Sequence, residues 1–243
     1  MKYIIISDLH EDIHSLLKIL NSLINRDNIK LISLGDNIGI SKKYYSHIEN
    51  DANSCLSLMK DNGFVGVRGN HDNFHLKITP KQTIFLYPEL LYNSSNLEKR
   101  NIKNKVWSFC DEEPTYLTKK NIDYLAGFDE YIIEDKILFS HFLFPDITGS
   151  TKLKEIDLRK ILDIHFLYMS FNDISYSFIG HLHVKEVIVI SEKRGRLNVK
   201  NNFFKFEMCC ENERFVVFCP SIIQNRIYLE YNSDNKLIKI INL

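Results

Sequence analysis

The 243-residue sequence predicts an α/β protein built on parallel strands. Three observations carry that prediction. Short β-branched runs alternate with stretches of helical period through the first third of the chain. Each run stops abruptly at polar or glycine residues. Asp, Asn and His gather just after those stops, and the carboxyl ends of the strands in an open α/β sheet line the crevice where ligands bind.

Taken in order, residues 3–7 read as a first buried strand. Residues 13–25 are apolar at Ile13, Leu16, Leu17, Leu20, Leu23 and Ile24, a helical period, with Asp12 placed to cap it. Residues 31–34 form the second strand. Cys55, Leu56, Leu58 and Met59 mark a second amphipathic helix that stops at Asn62-Gly63, ahead of a third strand at 64–67. The pattern then blurs. Residues 74–135 hold Pro80, Pro88, Pro114 and a polar stretch at 93–104, which predicts an excursion over one edge of the core, a cap or insertion above the crevice. Within it, 117–125 is a short helix capped by Thr118. Strands return at 137–140 and 176–179. Beyond His183, strands are expected at 184–190, 202–208, 214–219, 226–231 and 236–241, with turns at 191–201, 211–213 and 233–235. No repeat or interdomain linker interrupts the chain, so residues 1–243 are expected to form a single domain.

Composition excludes little but is consistent. The hydrophobic fraction of 44%, charged fraction of 26% and zero net charge give no push toward nucleic acid or an anionic membrane. The apolar run at 3–6 is too short for a signal-peptide core, and no apolar stretch has membrane-spanning length. Five cysteines, two of them adjacent at 209 and 210, show neither a disulfide framework nor metal-type spacing. Reduced thiols and a cytoplasmic location follow as expectations.

The chemistry lies in five clusters. They are Asp8-Leu9-His10, Gly35-Asp36-Asn37, Gly69-Asn70-His71-Asp72, His141, and Gly180-His181-Leu182-His183, each after an expected strand. Alternate side chains of an extended segment share a face, so Asp8 and His10 point together, as do His181 and His183. Mixed carboxylate and imidazole donors suit zinc, manganese or iron better than calcium. Seven candidate ligands exceed one tetrahedral ion and suit two ions sharing a bridging carboxylate. Glycines 35, 69 and 180 precede three of the ligands, where a sharp turn or close backbone approach is required.

This ordered series resembles the calcineurin-like metallophosphoesterase family, and in particular its bacterial phosphodiesterase-like branch. The resemblance spans residues 3 to 183, with Pro220-Ser221 similar to a turn near that branch's end. It implies a two-sheet αββα sandwich. It also implies that Asp8, His10 and His183 hold one divalent ion, that Asn70, His141 and His181 hold the other, and that Asp36 bridges them. The two ions would be manganese first, with iron, zinc, nickel or magnesium as alternatives. His71 would face the scissile phosphate as the catalytic residue, and Asp72 would order its loop. Where the family commonly has Gly-Asn after Asp-x-His, this chain has Glu11-Asp12, which sets extra negative charge near the metals or out in solvent. The phosphoprotein-phosphatase branch has an acidic residue and Arg where this chain has Gly39 and Ile40, which argues against that branch.

The resemblance thus implies a hydrolase that cleaves a phosphodiester or phosphomonoester by direct attack of a metal-bridging hydroxide. The partner would be a phosphate-ester substrate, with nucleotide-like esters among the options, no membrane, and nucleic acid left open. Two rivals share the same residues. One is a non-catalytic protein-interaction scaffold on this fold, against which the intact ligand set argues. The other is a nucleic-acid-processing phosphatase or nuclease, which the neutral charge and missing basic stripe disfavour. His14, His47, His75 and His165 stand outside the series and read as structural or surface residues, and Lys193, Arg194 and Arg196 as a solvated turn. Specificity is expected from 74–135 and from the loop 142–154.

Overall fold

The computed structural model describes residues 1–26, 28–39, 45, 48–84, 115–199, 202–206 and 212–243. Period-2 alternation in the strands dictates the layering. In β1 (Lys2–Ile6), Tyr3 and Ile5 join one apolar cluster while Ile4 and Ile6 join another. In β10 (Phe215–Phe218), Phe215 and Val217 face the first cluster, and Val216 and Phe218 face a third. A strand buried on both faces needs a layer on each side. The result is two mixed sheets packed face to face with helices on both outer surfaces, the αββα arrangement.

The first sheet runs β3-β2-β1-β11-β12-β9, where β2 is Ile29–Ser33, β3 Val65–Gly66, β9 Phe203–Lys205, β11 Ile227–Asn232 and β12 Leu237–Asn242. The second runs β4-β5-β6-β10-β7-β8, where β4 is Tyr131–Glu134, β5 Ile137–Ser140, β6 Tyr176–Ile179, β7 Ile188–Ser191 and β8 Gly195–Leu197. Parallel pairs are β1–β2, β2–β3, β5–β6 and β6–β10. The strands expected at 3–7, 31–34 and 64–67 fall in the first sheet and those at 137–140 and 176–179 in the second, as a two-sheet sandwich requires. Their carboxyl ends nonetheless meet at one edge of the sandwich. Between the sheets, Tyr3, Phe139, Tyr176, Phe178 and Tyr231 interleave, with ring centroids 5.1 to 6.1 Å apart.

Helices α1 (Ile13–Ser22), α2 (Ala52–Asp61) and α4 (Lys119–Ala126) cover the first sheet. Asp12 caps α1 by accepting from the Ser15 amide at 3.0 Å, as the sequence predicts. Thr118 precedes α4 but makes no side-chain cap bond. The second sheet is covered by α5 (Leu158–Phe171), a helix beyond those expected from the sequence, although Asp157 and the spacing of Ile161, Leu162, His165, Phe166 and Met169 carry its signal. α3 (Asn70–Leu76) begins inside the Asn70-His71 cluster, where a loop was expected.

Strand β7 starts at Ile188 rather than 184, and β8 occupies the expected turn at 191–201, so those residues form a hairpin. Arg194 is not solvated there: it pairs with buried Glu213 at 2.7 Å. Of the expected cap at 74–135, residues 85–114 lie outside the described residues, as do His47 and three of the cysteines. Cys55 and Cys219 are buried free thiols. Among the described residues, no helix is long and apolar enough to cross a membrane.

Candidate metal centre

Each cluster reaches the site because its backbone is zipped to a neighbour. Past β1, the amides of Asp8, His10 and Glu11 donate to the carbonyls of Gly35, Asp36 and Asn37 at 3.0 to 3.1 Å. The Gly180 amide donates to the His141 carbonyl at 3.0 Å, tying β6 to β5. The Cys219-Pro220-Ser221 turn leads into α6 (Ile222–Asn225), whose Ile222 and Ile223 amides hold the Ser7 and Asp8 carbonyls. Asp8, His10, Asp36, His181 and His183 all adopt positive φ between 46° and 66°. Such conformations are uncommon outside glycine and gather at functional sites, because the fold must hold them in place.

Two glycines are required for close approach. A Cβ on Gly69 would lie 2.1 Å from Asp36 Oδ1, and one on Gly180 would lie 1.9 Å from Ser7 Oγ. Bare backbone at these points lets the three loops converge.

All eight predicted side chains come together. Asp36 Oδ1 accepts from the His71 amide at 2.9 Å. Its Oδ2 faces His141 Nε2 at 3.2 Å and the Nε2 atoms of His10 and His71 at 3.9 Å. Asp36 thus stands between two groups. On one side, Asp8 Oδ1 is 3.2 Å from His183 Nε2, which is 3.3 Å from His10 Nε2. On the other, His141 Nε2 is 3.2 Å from both Asn70 Oδ1 and His181 Nδ1. The imidazoles are aimed from behind: His10 Nδ1 donates to the Gly39 carbonyl at 2.7 Å and His141 Nδ1 to the Leu34 carbonyl at 2.8 Å. Those bonds direct both Nε2 atoms at the cluster.

The titration of these groups follows from burial and from one another. Burial works against charge on Asp36, yet His141 and His71 prevail and hold the carboxyl well below its usual range. Asp8 is likewise lowered, with His183 overcoming burial. Burial pulls His141 down, but Asp36 and Asp8 raise it to about 9. Burial and the neighbouring His141 lower His181 to about 3, and burial lowers His10 and His71.

The donor set fits divalent cations on three counts. Bonds of about 2.0–2.1 Å at a tetrahedral centre put neighbouring donors roughly 3.3 Å apart, close to the separations of 3.2 and 3.3 Å found here. Three sets, Asp8-His10-His183, His10-Asp36-His71 and Asp36-His141-His181, each gather their ligand atoms within 4.8 Å. Finally, Asp8 Oδ1 is buried with the His183 imidazole 3.2 Å away but no well-aligned hydrogen bond, although a buried carboxylate oxygen is normally satisfied. A donor set that mixes imidazole nitrogens with carboxylate and amide oxygens suits transition metals better than calcium.

Residues around the centre depart from expectation in places. Glu11 points neither at the cluster nor to solvent. It is buried, accepting from the Gly39 amide at 2.8 Å, Thr115 Oγ1 at 2.9 Å and Asn50 Nδ2 at 2.8 Å. Its charge is absorbed in tying the 39 loop to residue 115. Asp72 does order its loop, accepting from the amides of Asn37, Ile38 and Gly69. His14 is at the surface with Glu49, and His165 is buried within the core as expected. His75 accepts from the Thr115 amide at 3.0 Å. Ser7 escaped the sequence reading: its hydroxyl donates to Asp8 Oδ2 and fixes which oxygen faces the cluster. The centre opens into a cleft of about 480 Å³, walled on one side by Thr151, Lys152, Leu153 and Lys154. No motif in the sequence marked those four.

Comparison with known proteins agrees. A structure described as a metallophosphoesterase from Sphaerobacter thermophilus superposes with a TM-score of 0.64 at 18% identity, covering 100% of this chain and 88% of that one. The hypothetical protein PH1004 from Pyrococcus horikoshii OT3 gives 0.55 at 9% identity, covering 100% and 87%. At these identities the likeness is one of fold. In sequence, the uncharacterised protein MJ0912 of Methanocaldococcus jannaschii is 25% identical over 190 residues, 74% of this chain. That match spans 61% of the relative's length. The model of the calcineurin-like phosphoesterase family matches residues 1–185, and the chain belongs to that family.

Proposed function

We propose that the chain is a binuclear metal-dependent phosphoesterase that transfers phosphorus from an ester directly to water. The observation that carries this reading is the position of Asp36, whose Oδ2 faces imidazoles of both ligand groups while its Oδ1 is held by the His71 amide. A carboxylate so placed is suited to be shared by two ions. Asp8, His10 and His183 would hold one, and Asn70, His141 and His181 the other, with manganese the first candidate. Two such ions, when bound, lower the pKa of a water and neutralise the charge on a phosphate.

The chain's own groups supply the rest. His71 Nε2 lies 3.9 Å from Asp36 Oδ2, and its ring meets that of His10 edge-on at 4.6 Å, on the cleft side of the cluster. There it would donate a proton to the leaving oxygen or stabilise charge on it, a contribution of about 10²–10⁴-fold. Ser7 and the Leu34 and Gly39 carbonyls keep the donors aimed, so little reorganisation accompanies the reaction. Of the segment 74–135, Thr115 reaches both Glu11 and His75 beside the centre, whereas α4 and β4 pack into the sandwich itself.

The test is hydrolysis of p-nitrophenyl phosphate and bis-p-nitrophenyl phosphate by metal-stripped protein with and without manganese. We expect metal-dependent turnover of at least one ester, lost in Asp36→Asn and His71→Ala. Metal binding without turnover of any phosphate ester would favour the scaffold reading instead.

A further inference from the structure

Resting on the phosphoesterase reading, we propose that Lys152 and Lys154 form a subsite for a second phosphate, so that the ester cleaved carries another phosphate beside the scissile one. Both lysines line the cleft that opens from the metal centre, and Asp36 is the carboxylate among its described lining residues. Surface lysines are ordinarily solvated and mobile. These two are set apart by the backbone that carries them.

The loop before them is buried: Ile147, Thr148, Ser150 and Thr151 are 0 to 1% exposed. The buried Asp146 carboxylate accepts from the Ser150 amide at 3.2 Å and the Thr151 amide at 2.9 Å, closing the turn on itself. The Phe142 amide donates to the Ile147 carbonyl at 2.8 Å. Gly149 is pressed so closely to the centre that a Cβ there would meet His181 Nδ1 at 2.6 Å. The platform is thus braced against a residue of the metal cluster. Lys152 leaves it half-buried, and Lys154 follows on a short 3-10 turn (Leu153–Glu155). Mounted this way, half-buried Lys152 loses less freedom on binding than a lysine on a mobile loop, and exposed Lys154 follows it along the same wall.

The scissile phosphate would be met on the cleft floor by the metal centre and His71, which leaves the wall to contact the remainder of the substrate. A volume of about 480 Å³ falls within the range of roughly 300–1,000 Å³ typical of small-molecule sites, so there is room beyond one phosphate. Lysine acts as a point charge toward phosphate, and two ammonium groups on one wall suit a phosphate dianion.

The experiment uses the full chain loaded with manganese and two pairs of esters. The monoester pair is adenosine 3′,5′-bisphosphate against adenosine 5′-monophosphate. The diester pair is the dinucleotide pApA against ApA. We expect the member with the extra phosphate to have a kcat/KM at least tenfold higher in whichever pair is cleaved. That ratio should fall at least fivefold in Lys152→Gln/Lys154→Gln, through KM, and shrink as salt is raised. Lys160→Gln, on α5, should keep the ratio. A wild-type ratio near one, or a ratio kept by the double variant, overturns the subsite while leaving the phosphoesterase reading intact. Turnover of the p-nitrophenyl esters but of none of the four nucleotides overturns the subsite alone; no metal-dependent turnover of the nucleotides or of the p-nitrophenyl esters overturns the phosphoesterase reading, and the subsite falls with it.

Discussion

Asp36 gives one oxygen to the His71 amide and turns the other to three imidazoles, so its replacement separates ligand from bystander. Asp36→Asn keeps the shape but halves the donor capacity and removes the charge. It should lower manganese affinity by at least about a hundredfold, more than the 10–100-fold typical of outer-shell changes, as read by calorimetric titration. His71→Ala should behave differently, retaining both metals while the rate falls about 10²–10⁴-fold. Gly180→Ala tests packing rather than chemistry. Its Cβ would sit 1.9 Å from Ser7 Oγ, and relieving the clash should cost about 1–3 kcal/mol, seen as a lower melting temperature together with weaker metal binding. At this scale the grouping of the side chains was legible only from the ensemble: an Asp, Asn or His after one apolar run is ordinarily a turn or core residue, but five such clusters in order have no such common explanation. Ser7 was not legible, and Lys152 and Lys154 were legible only as part of the loop 142–154, since serine and lysine are ordinary residues at loop positions.

Among elements, the link between α5 and the loop before it offers a clean pH test. His165 on α5 accepts from the Phe144 amide through Nδ1 at 2.8 Å and donates from Nε2 to Ser177 Oγ at 2.9 Å. Burial lowers its pKa to about 3, well under the ordinary 6.5. The folded protein therefore holds His165 neutral, whereas the unfolded chain takes up a proton near 6.5. Stability from this residue is complete above that pH and is lost as the pH falls from 6.5 toward 3. The slope is about 1.4 kcal/mol per pH unit for one proton. His165→Gln retains a donor and an acceptor, so its stability, measured by urea denaturation, should fall less steeply with acid by about one proton. Helix α5 itself was readable from Asp157 and its apolar period. Strand β8 was not, because Gly195-Arg196-Leu197 is too short and polar to be told from a turn by period alone.

For the whole molecule, the pattern of buried strands gave the α/β class, but the pairing of strands into two sheets came from long-range partners. The junction of β1 with β11, for example, joins Tyr3 to Tyr231 across almost the entire chain, and no local signal encodes it. That junction also explains why the site and the core are coupled. The sheets meet through Tyr3, Phe178 and Tyr231, and their carboxyl ends carry the ligands from both sides. Phe178→Ala should cost about 3–5 kcal/mol and weaken metal binding without touching a ligand. Conversely, ions that bind only the folded chain should raise its melting temperature in proportion to the logarithm of their concentration. Whether Asp36 is shared by two ions can be read by titrating metal-stripped protein with manganese while recording electron paramagnetic resonance. We expect two equivalents per chain with the signal of a spin-coupled pair, and loss of that coupling in Asp36→Asn. A single isolated manganese signal at saturation, or coupling that survives Asp36→Asn, would contradict a shared Asp36.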